Sequence, residues 1–256
     1  MSVLPDLFIA LLGAVIGSFL NVCICRIPEG RSLVAPGSAC PGCGHPIRPY
    51  DNIPVLSYLI LKGRCRNCGG RISPRYIAVE LITAVIALFL FQQYGFSLQF
   101  LSAFVFAAAL VVVTFIDLEH GIIPDVITLP GIPLFMIPAV LVMGVSFLDA
   151  FLGAAVGGGV FYLIAEGYGF FTGREGMGGG DIKLLAMLGA FLGWQSLVFV
   201  LLVSSLLGSI VGIGVMVAKH EGMRYAIPFG PFLAVSALAY IFWGYDFSRV
   251  MNLYWG

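Results

Sequence analysis

The sequence predicts an all-α polytopic membrane protein of about eight transmembrane helices, with a cytoplasmic zinc-ribbon-like loop between the first and the second. Three observations lead there. Of 256 residues, 60% are apolar and 10% charged, and the mean hydropathy is +1.02, more than a soluble core of this size needs. The apolar residues fall into runs of membrane-spanning length, broken by Gly, Pro or charge. Between the first two runs lies a polar, Gly- and Pro-rich stretch holding paired cysteines.

A helix of roughly 20 apolar residues crosses the hydrocarbon. The runs are Leu4 to Cys25, Tyr76 to Tyr94, Phe100 to Ile116, Val126 to Met143, Leu148 to Phe170, Ile182 to Trp194, Leu197 to Ala218 and Phe229 to Trp243. The sixth is short for a full span, so it must thin the bilayer locally or sit partly re-entrant inside protein. This divides the chain into a first transmembrane helix (1–25), a cytoplasmic zinc-binding loop (26–75) and a second transmembrane part (76–256) that holds the remaining runs.

Basic residues set the orientation. Arg26, Arg31, Arg48, Lys62, Arg64, Arg66, Arg71 and Arg75 crowd the loop between the first two runs, which makes that loop cytoplasmic. Alternation then brings Arg174, Lys183, Lys219 and Arg224 to the same side, with Arg249 the exception, and puts both termini on the periplasmic side. No Lys or Arg precedes Arg26, so the first run reads as a retained helix rather than a cleaved secretory signal. The formal net charge of +0 hides this asymmetry between faces.

Within the loop, C-P-G-C at Cys40 and Cys43 and C-R-N-C at Cys65 and Cys68 stand 21 residues apart. Two such knuckles match a four-thiolate zinc site, in which full tetrahedral coordination leaves no position for a catalytic water and the metal is structural. Two disulfides are the alternative, disfavoured in a reducing cytoplasm. His45 is a candidate fifth ligand; Cys23 and Cys25, in or beside the first helix, read as small hydrophobes.

Two acidic residues stand out. Asp117, in F-I-D-L-E-H, closes the third run, and Asp181, in G-M-G-G-G-D-I-K, opens the sixth; the alternation brings both to the cytoplasmic boundary. An ionisable group at membrane depth costs roughly 2.5–3.5 kcal/mol on insertion scales, which calls for a function. A negative charge is disfavoured at a helix C-terminus and favoured at an N-terminus, so the two carboxyls differ in proton affinity. That difference suits an aspartyl protease pair, in which one acid polarises the scissile carbonyl and one carboxylate activates water. Gly178, Gly179 and Gly180 leave space for a substrate strand beside Asp181, although Asp181 also reads as a helix N-cap. Among the other acids, Glu119, Glu166 and Glu175 lie near the same face; Asp125, after Pro124, reads as the cap of the fourth helix; Glu80 is a possible second-site residue near the zinc loop.

With these residues in place, the chain resembles the bacterial type IV prepilin peptidases, the peptidase family A24 leader peptidases and N-methyltransferases of the inner membrane. The resemblance rests on G-S-F-L-N-V at Gly17 to Val22, the Cys-x-x-Cys pairs, D-N-I-P-V-L-S-Y at Asp51 to Tyr58, G-R-C-R-N-C at Gly63 to Cys68 and I-S-P-R-Y at Ile72 to Tyr76. It continues through F-I-D at Phe115 to Asp117, G-x-G-D at Gly178 to Asp181 and P-F-G-P at Pro228 to Pro231. It implies that Asp117 and Asp181 are the catalytic aspartates of a G-x-G-D intramembrane protease. It further implies type IV prepilin or pseudopilin precursors as substrates, cut at the cytoplasmic face, and S-adenosylmethionine as donor for methylating the new N-terminus. The methyl-donor residues stay unassigned, and Gly157 to Gly159, inside an apolar run, read as helix packing.

Membrane lipid is the expected surroundings, and no nucleic-acid partner is expected. A transporter would place its ionisable residues near the midplane and show repeated halves. A zinc-loop scaffold without protease activity would leave Asp117 and the glycine run without a role, and no His-Glu-x-x-His element marks a zinc hydrolase.

Overall fold

The computed structural model describes residues 3–172, 178–219 and 227–255. Arg174, Glu175 and Arg224, read above as boundary charges, lie outside them. Most of the described residues are helical, and they include no β-strand beyond two isolated bridges in the loop. The helices are α1 (Val3–Arg26), α2 (Leu56–Ile60), α3 (Arg75–Tyr94), α4 (Leu98–His120), α5 (Asp125–Leu141), α6 (Phe147–Ala155), α7 (Phe161–Thr172), α8 (Gly179–Leu192), α9 (Trp194–Lys219) and α10 (Gly230–Trp255).

Five stretches are long and apolar enough to cross a membrane: Val3–Arg26, Arg75–Tyr94, Leu98–His120, Phe147–Phe170 and Trp194–Ala218; Asp125–Leu141 and Gly230–Gly244 are shorter apolar helices. Their outer faces carry exposed Leu7, Phe8, Leu11, Val15, Phe89, Leu163, Leu206 and Ile210, a surface that suits hydrocarbon rather than water. The chain divides into two compact units, Met1–Val112 and Val113–Gly256, with the division inside α4.

In the first unit, α1 and α3 form an antiparallel pair joined through the cysteine-bearing loop. Their backbones approach at Gly13 and Gly17, where an added Cβ would lie 2.8 Å from Ala84 Cα and 2.7 Å from Glu80 Cα, the small-residue contact that helices use in lipid. Polar groups line the same seam: Asn21 Nδ2 donates to the Tyr76 and Gly17 carbonyls at 3.0 and 3.3 Å. Buried Glu80 accepts the Val55 N–H at 2.7 Å. Val55 holds φ +62°, a conformation that costs a β-branched residue about 1–3 kcal/mol unless its surroundings enforce it. Glu80→Ala is expected to leave that N–H without its acceptor, to lower the melting temperature in detergent by the equivalent of about 1–3 kcal/mol and to speed proteolysis near Val55. Glu80→Gln keeps an acceptor and is expected to recover most of the loss; equal proteolysis of all three proteins would refute the anchor.

In the second unit α8 is the central element. Ile182 and Leu184 to Phe191 are all buried, and the helix packs against α5, α6, α9 and α10. At 14 residues it is about 21 Å long, short of a bilayer, and its burial shows how it is accommodated: within protein rather than lipid. The run Leu148 to Phe170 is not one continuous α-helix, because a π-helical turn at Val156–Val160 separates α6 from α7. A Cβ on Gly157 would lie 2.5 Å from the Leu185 carbonyl oxygen, whereas one on Gly159 would meet nothing within 4 Å, so only part of the glycine run serves packing. Gly153 and Gly189 are closer still, each leaving no room for a Cβ against the other's backbone. Gly153→Ala must therefore separate α6 from α8, and a loss of about 1–3 kcal/mol is expected by denaturation in detergent.

Candidate active site and metal centre

The candidate metal centre, a cluster of four cysteines, belongs to the first unit. Each cysteine pair sits on a knuckle of the same construction. Cys40 N–H donates to the His45 carbonyl at 2.9 Å and Gly44 N–H to the Cys40 carbonyl at 2.8 Å; Cys65 N–H donates to Gly70 at 2.8 Å and Gly69 N–H to Cys65 at 2.9 Å. Gly44 and Gly69, at φ +68° and +69°, close the two turns, which is where L side chains are disfavoured. The knuckles bring the sulfurs of Cys40, Cys43, Cys65 and Cys68 within 4.8 Å of one another. Tetrahedral zinc, with Zn–S near 2.3 Å, requires sulfurs about 3.8 Å apart, and Cys40 and Cys68 Sγ stand at 3.9 Å.

Backbone N–H groups and neighbouring thiols shift these sulfurs in opposite directions. Backbone N–H groups of Cys68 and Asn67 hold the Cys65 thiol down to about 7, and the His45 N–H lowers Cys43 below its ordinary value. At Cys68 the Gly70 N–H lowers the value, but Cys43 and Cys65 raise it, and the balance pushes it up to about 11. Four crowded thiols cannot all ionise without a cation among them. The residues present fit a structural zinc ion, and His45 is not among the grouped ligands. Beside the centre, Arg66 clamps Asp51 through both carboxylate oxygens and holds that carboxyl below its usual range.

Asp117 and Asp181 both lie in the second unit. Asp117 stands in the last turn of α4 rather than at its end, since the helix runs on to His120; its carbonyl accepts the N–H of Gly121, whose φ of +65° stops the helix. The Asp117 side chain is only 5% exposed, and its Oδ2 accepts the N–H of Gly230, the first residue of α10, at 3.0 Å. A Cβ at 230 would fall 2.6 Å from that oxygen, so the P-F-G-P glycine is what lets the α10 backbone reach the carboxylate.

Asp181 is the third residue of α8, with Gly178 as the N-cap; the capping role open to it in the sequence is taken by backbone. Its Oδ1 is buried with no hydrogen-bond partner among the described residues. Gly180, the residue before Asp181, and Gly230, which holds Asp117, both abut Ile123, so residues 64 positions apart in sequence approach one another. Gly178 and Gly180 both serve close contact: a Cβ at 178 would lie 3.0 Å from Asp181 Oδ2, and one at 180 would lie 2.8 Å from Ile123 Cβ. Two carboxyls in an apolar bundle, one oriented by a backbone N–H and one presenting an unpaired oxygen, can bind a carbonyl and deprotonate water.

The other acidic candidates part company from this pair. Asp125 is no side-chain cap: Pro124 takes the N-cap position, and both Asp125 carboxylate oxygens lie 2.7 Å from Lys183 Nζ. The cap fails because the ion pair draws the carboxylate across to α8. Glu166 is exposed on α7, and Glu80 serves the first unit as described. Sequence reasoning missed Ile123, Gly230 and Lys183 as neighbours of the pair; the P-F-G-P motif carried a signal for Gly230, whereas nothing in the chain marks Ile123.

Known proteins resemble this chain over most of its length. Residues 11–94 match the Bacterial Peptidase A24 N-terminal domain, and residues 104–213 match the Type IV leader peptidase family. Curated relatives, each named Prepilin leader peptidase/N-methyltransferase, include proteins of Aeromonas hydrophila (40% identical over 273 residues, 96% of this chain and 94% of theirs) and Aeromonas salmonicida strain A449 (39% over 278 residues, 96% and 94%). A protein of Pseudomonas aeruginosa with the same name is 38% identical over 262 residues, 93% of this chain and 90% of its own. No solved structure matches the chain. The chain belongs to the type IV leader peptidase family.

Proposed function

We propose that this protein is an intramembrane aspartyl endopeptidase that removes the leader of type IV prepilin or pseudopilin precursors at the cytoplasmic face of the inner membrane and then N-methylates the new N-terminal residue. Asp117 and Asp181 form the catalytic pair. The observation that carries this reading is their convergence inside an apolar bundle: Ile123 stands against Gly180, the residue before Asp181, and against Gly230, whose N–H holds Asp117. The basic loop between α1 and α3 supports its cytoplasmic placement and that of both termini outside.

Hydrolysis needs no group beyond the pair and one water. One carboxylic acid donates a hydrogen bond to the scissile carbonyl, and the other carboxylate takes a proton from the attacking water, giving a tetrahedral intermediate. Collapse breaks the C–N bond as the amine takes a proton from the dyad, which returns to its starting state with one proton. The Gly230 N–H fixes Asp117 through Oδ2, so the geometry stands before substrate arrives. Cys40, Cys43, Cys65 and Cys68 would hold a structural zinc ion, which would order the loop. S-adenosylmethionine supplies the methyl group, a reading supported by the relatives' names.

The test is to incubate the detergent-purified protein with a synthetic prepilin, with and without methyl donor, and weigh the products. Cleavage at the start of the apolar helix is expected in both, with one added methyl group only when the donor is present. An uncut precursor, with substrate-dependent ion flux in proteoliposomes instead, would favour the transporter.

A further inference from the structure

We infer that the turn joining α4 to α5, residues 121–125, is a strut that sets the spacing of the two catalytic aspartates, with Ile123 as its spacer and the Asp125–Lys183 ion pair as its clasp. This rests on the reading of Asp117 and Asp181 as the catalytic pair.

The turn starts where Asp117 ends its service to the helix: Gly121, four residues on, donates to the Asp117 carbonyl and reverses the chain at φ +65°. Half-buried Ile123 then enters between two glycines, each belonging to one aspartate. Gly180 immediately precedes Asp181, and a Cβ there would lie 2.8 Å from Ile123 Cβ; Gly230 donates its N–H to Asp117, and a Cβ there would lie 3.1 Å from Ile123 Cδ1. One isoleucine thus separates the backbone preceding Asp181 from the backbone that orients Asp117. A β-branched side chain suits a spacer of fixed width, because its χ1 is restricted.

Two residues further on, Asp125 opens α5 and is held by Lys183, itself two residues past Asp181. The side chains are 55% and 37% exposed, and an ion pair so placed contributes only about 0–1 kcal/mol to stability. Its consequence is geometric: it ties the start of α5 to α8 two residues beyond Asp181. The spacer sets how near the two backbones come and the clasp keeps them from drifting apart.

These are positioning residues, so their removal is expected to act on the chemical step. Ile123→Val deletes Cδ1, the carbon facing Gly230, while keeping the Cβ facing Gly180. With a prepilin peptide and rates normalised to folded protein, Ile123→Val and Asp125→Asn are each expected to lower kcat about 10- to 100-fold while KM stays within about twofold, the scale for misplacing a catalytic group. Melting temperature in detergent is expected to stay near that of the parent. The charge swap Asp125→Lys with Lys183→Asp is expected to restore most of the kcat lost by Asp125→Lys alone, which a general loss of stability would not do. Parental kcat in Ile123→Val, or no recovery in the swap, overturns the strut. Asp117→Asn run alongside separates the two readings: if it still cleaves, the dyad itself falls, whereas a dead Asp117→Asn beside fully active strut variants removes only the strut.

Discussion

Asp117→Asn and Asp181→Asn are each expected to abolish prepilin cleavage, with a rate loss of at least about 10²–10⁴-fold, while the protein stays folded in the membrane. Asparagine has nearly the shape of aspartate but cannot exchange a proton with water or a leaving amine. At position 117 the amide oxygen still offers an acceptor to the Gly230 N–H that Asp117 Oδ2 takes at 3.0 Å, so the contact survives without the chemistry. At position 181 the substitution lies in the first turn of α8, where backbone at Gly178 caps the helix, so helix integrity does not hang on the carboxylate. Loss of cleavage with unchanged membrane insertion and melting temperature is the expected pair of readouts. Either variant should still methylate a synthetic peptide that already begins at the mature N-terminus, because methylation is not assigned to the pair. Cleavage by either asparagine variant within about tenfold of the parent would sink the dyad.

The second large effect concerns the loop. Of residues 26–75, Ser57 and Gly63 alone are buried, so this stretch has no apolar core of its own. A segment of that size needs a staple, and four sulfurs within 4.8 Å of one another are positioned to provide it. Structural zinc binds such sets with an apparent about 10–16 kcal/mol, which serves as folding energy for the segment. One zinc per chain is expected by elemental analysis, and Cys65→Ser or exhaustive chelation is expected to remove it and to make the loop protease-sensitive. Cleavage is expected to persist, since Asp117 and Asp181 both belong to the other compact unit. A fully protected loop in metal-free protein would refute the structural role.

Part of this architecture is visible along the chain. The eight apolar runs each contain a helix, because hydropathy is a property of consecutive residues and the bilayer selects on it directly. The knuckles were legible for a similar reason: two ligands three positions apart and a glycine at the turn form a local unit. What hydropathy could not register is backbone geometry. Leu148 to Phe170 reads as one span, yet the Gly157 contact with Leu185 and the π turn depend on a neighbour that the run does not contain. Asp125 is a parallel case, since proximity to Pro124 suggests a cap whereas its partner Lys183 lies on α8, 58 residues on.

The sequence alone determined that the chain is helical and apolar, that four cysteines pair into two knuckles, and that Asp117 and Asp181 bracket helix ends of unusual polarity. Solvation, chelation and helix capping act over a few consecutive residues, so composition and spacing suffice to reveal them. Tertiary structure alone decided that Gly230 orients Asp117, that Ile123 stands between Gly180 and Gly230, that Lys183 takes Asp125, and that Glu80 secures Val55. Those pairings depend on how each helix is rotated and how closely its backbone approaches the next, and packing across tens of residues sets both.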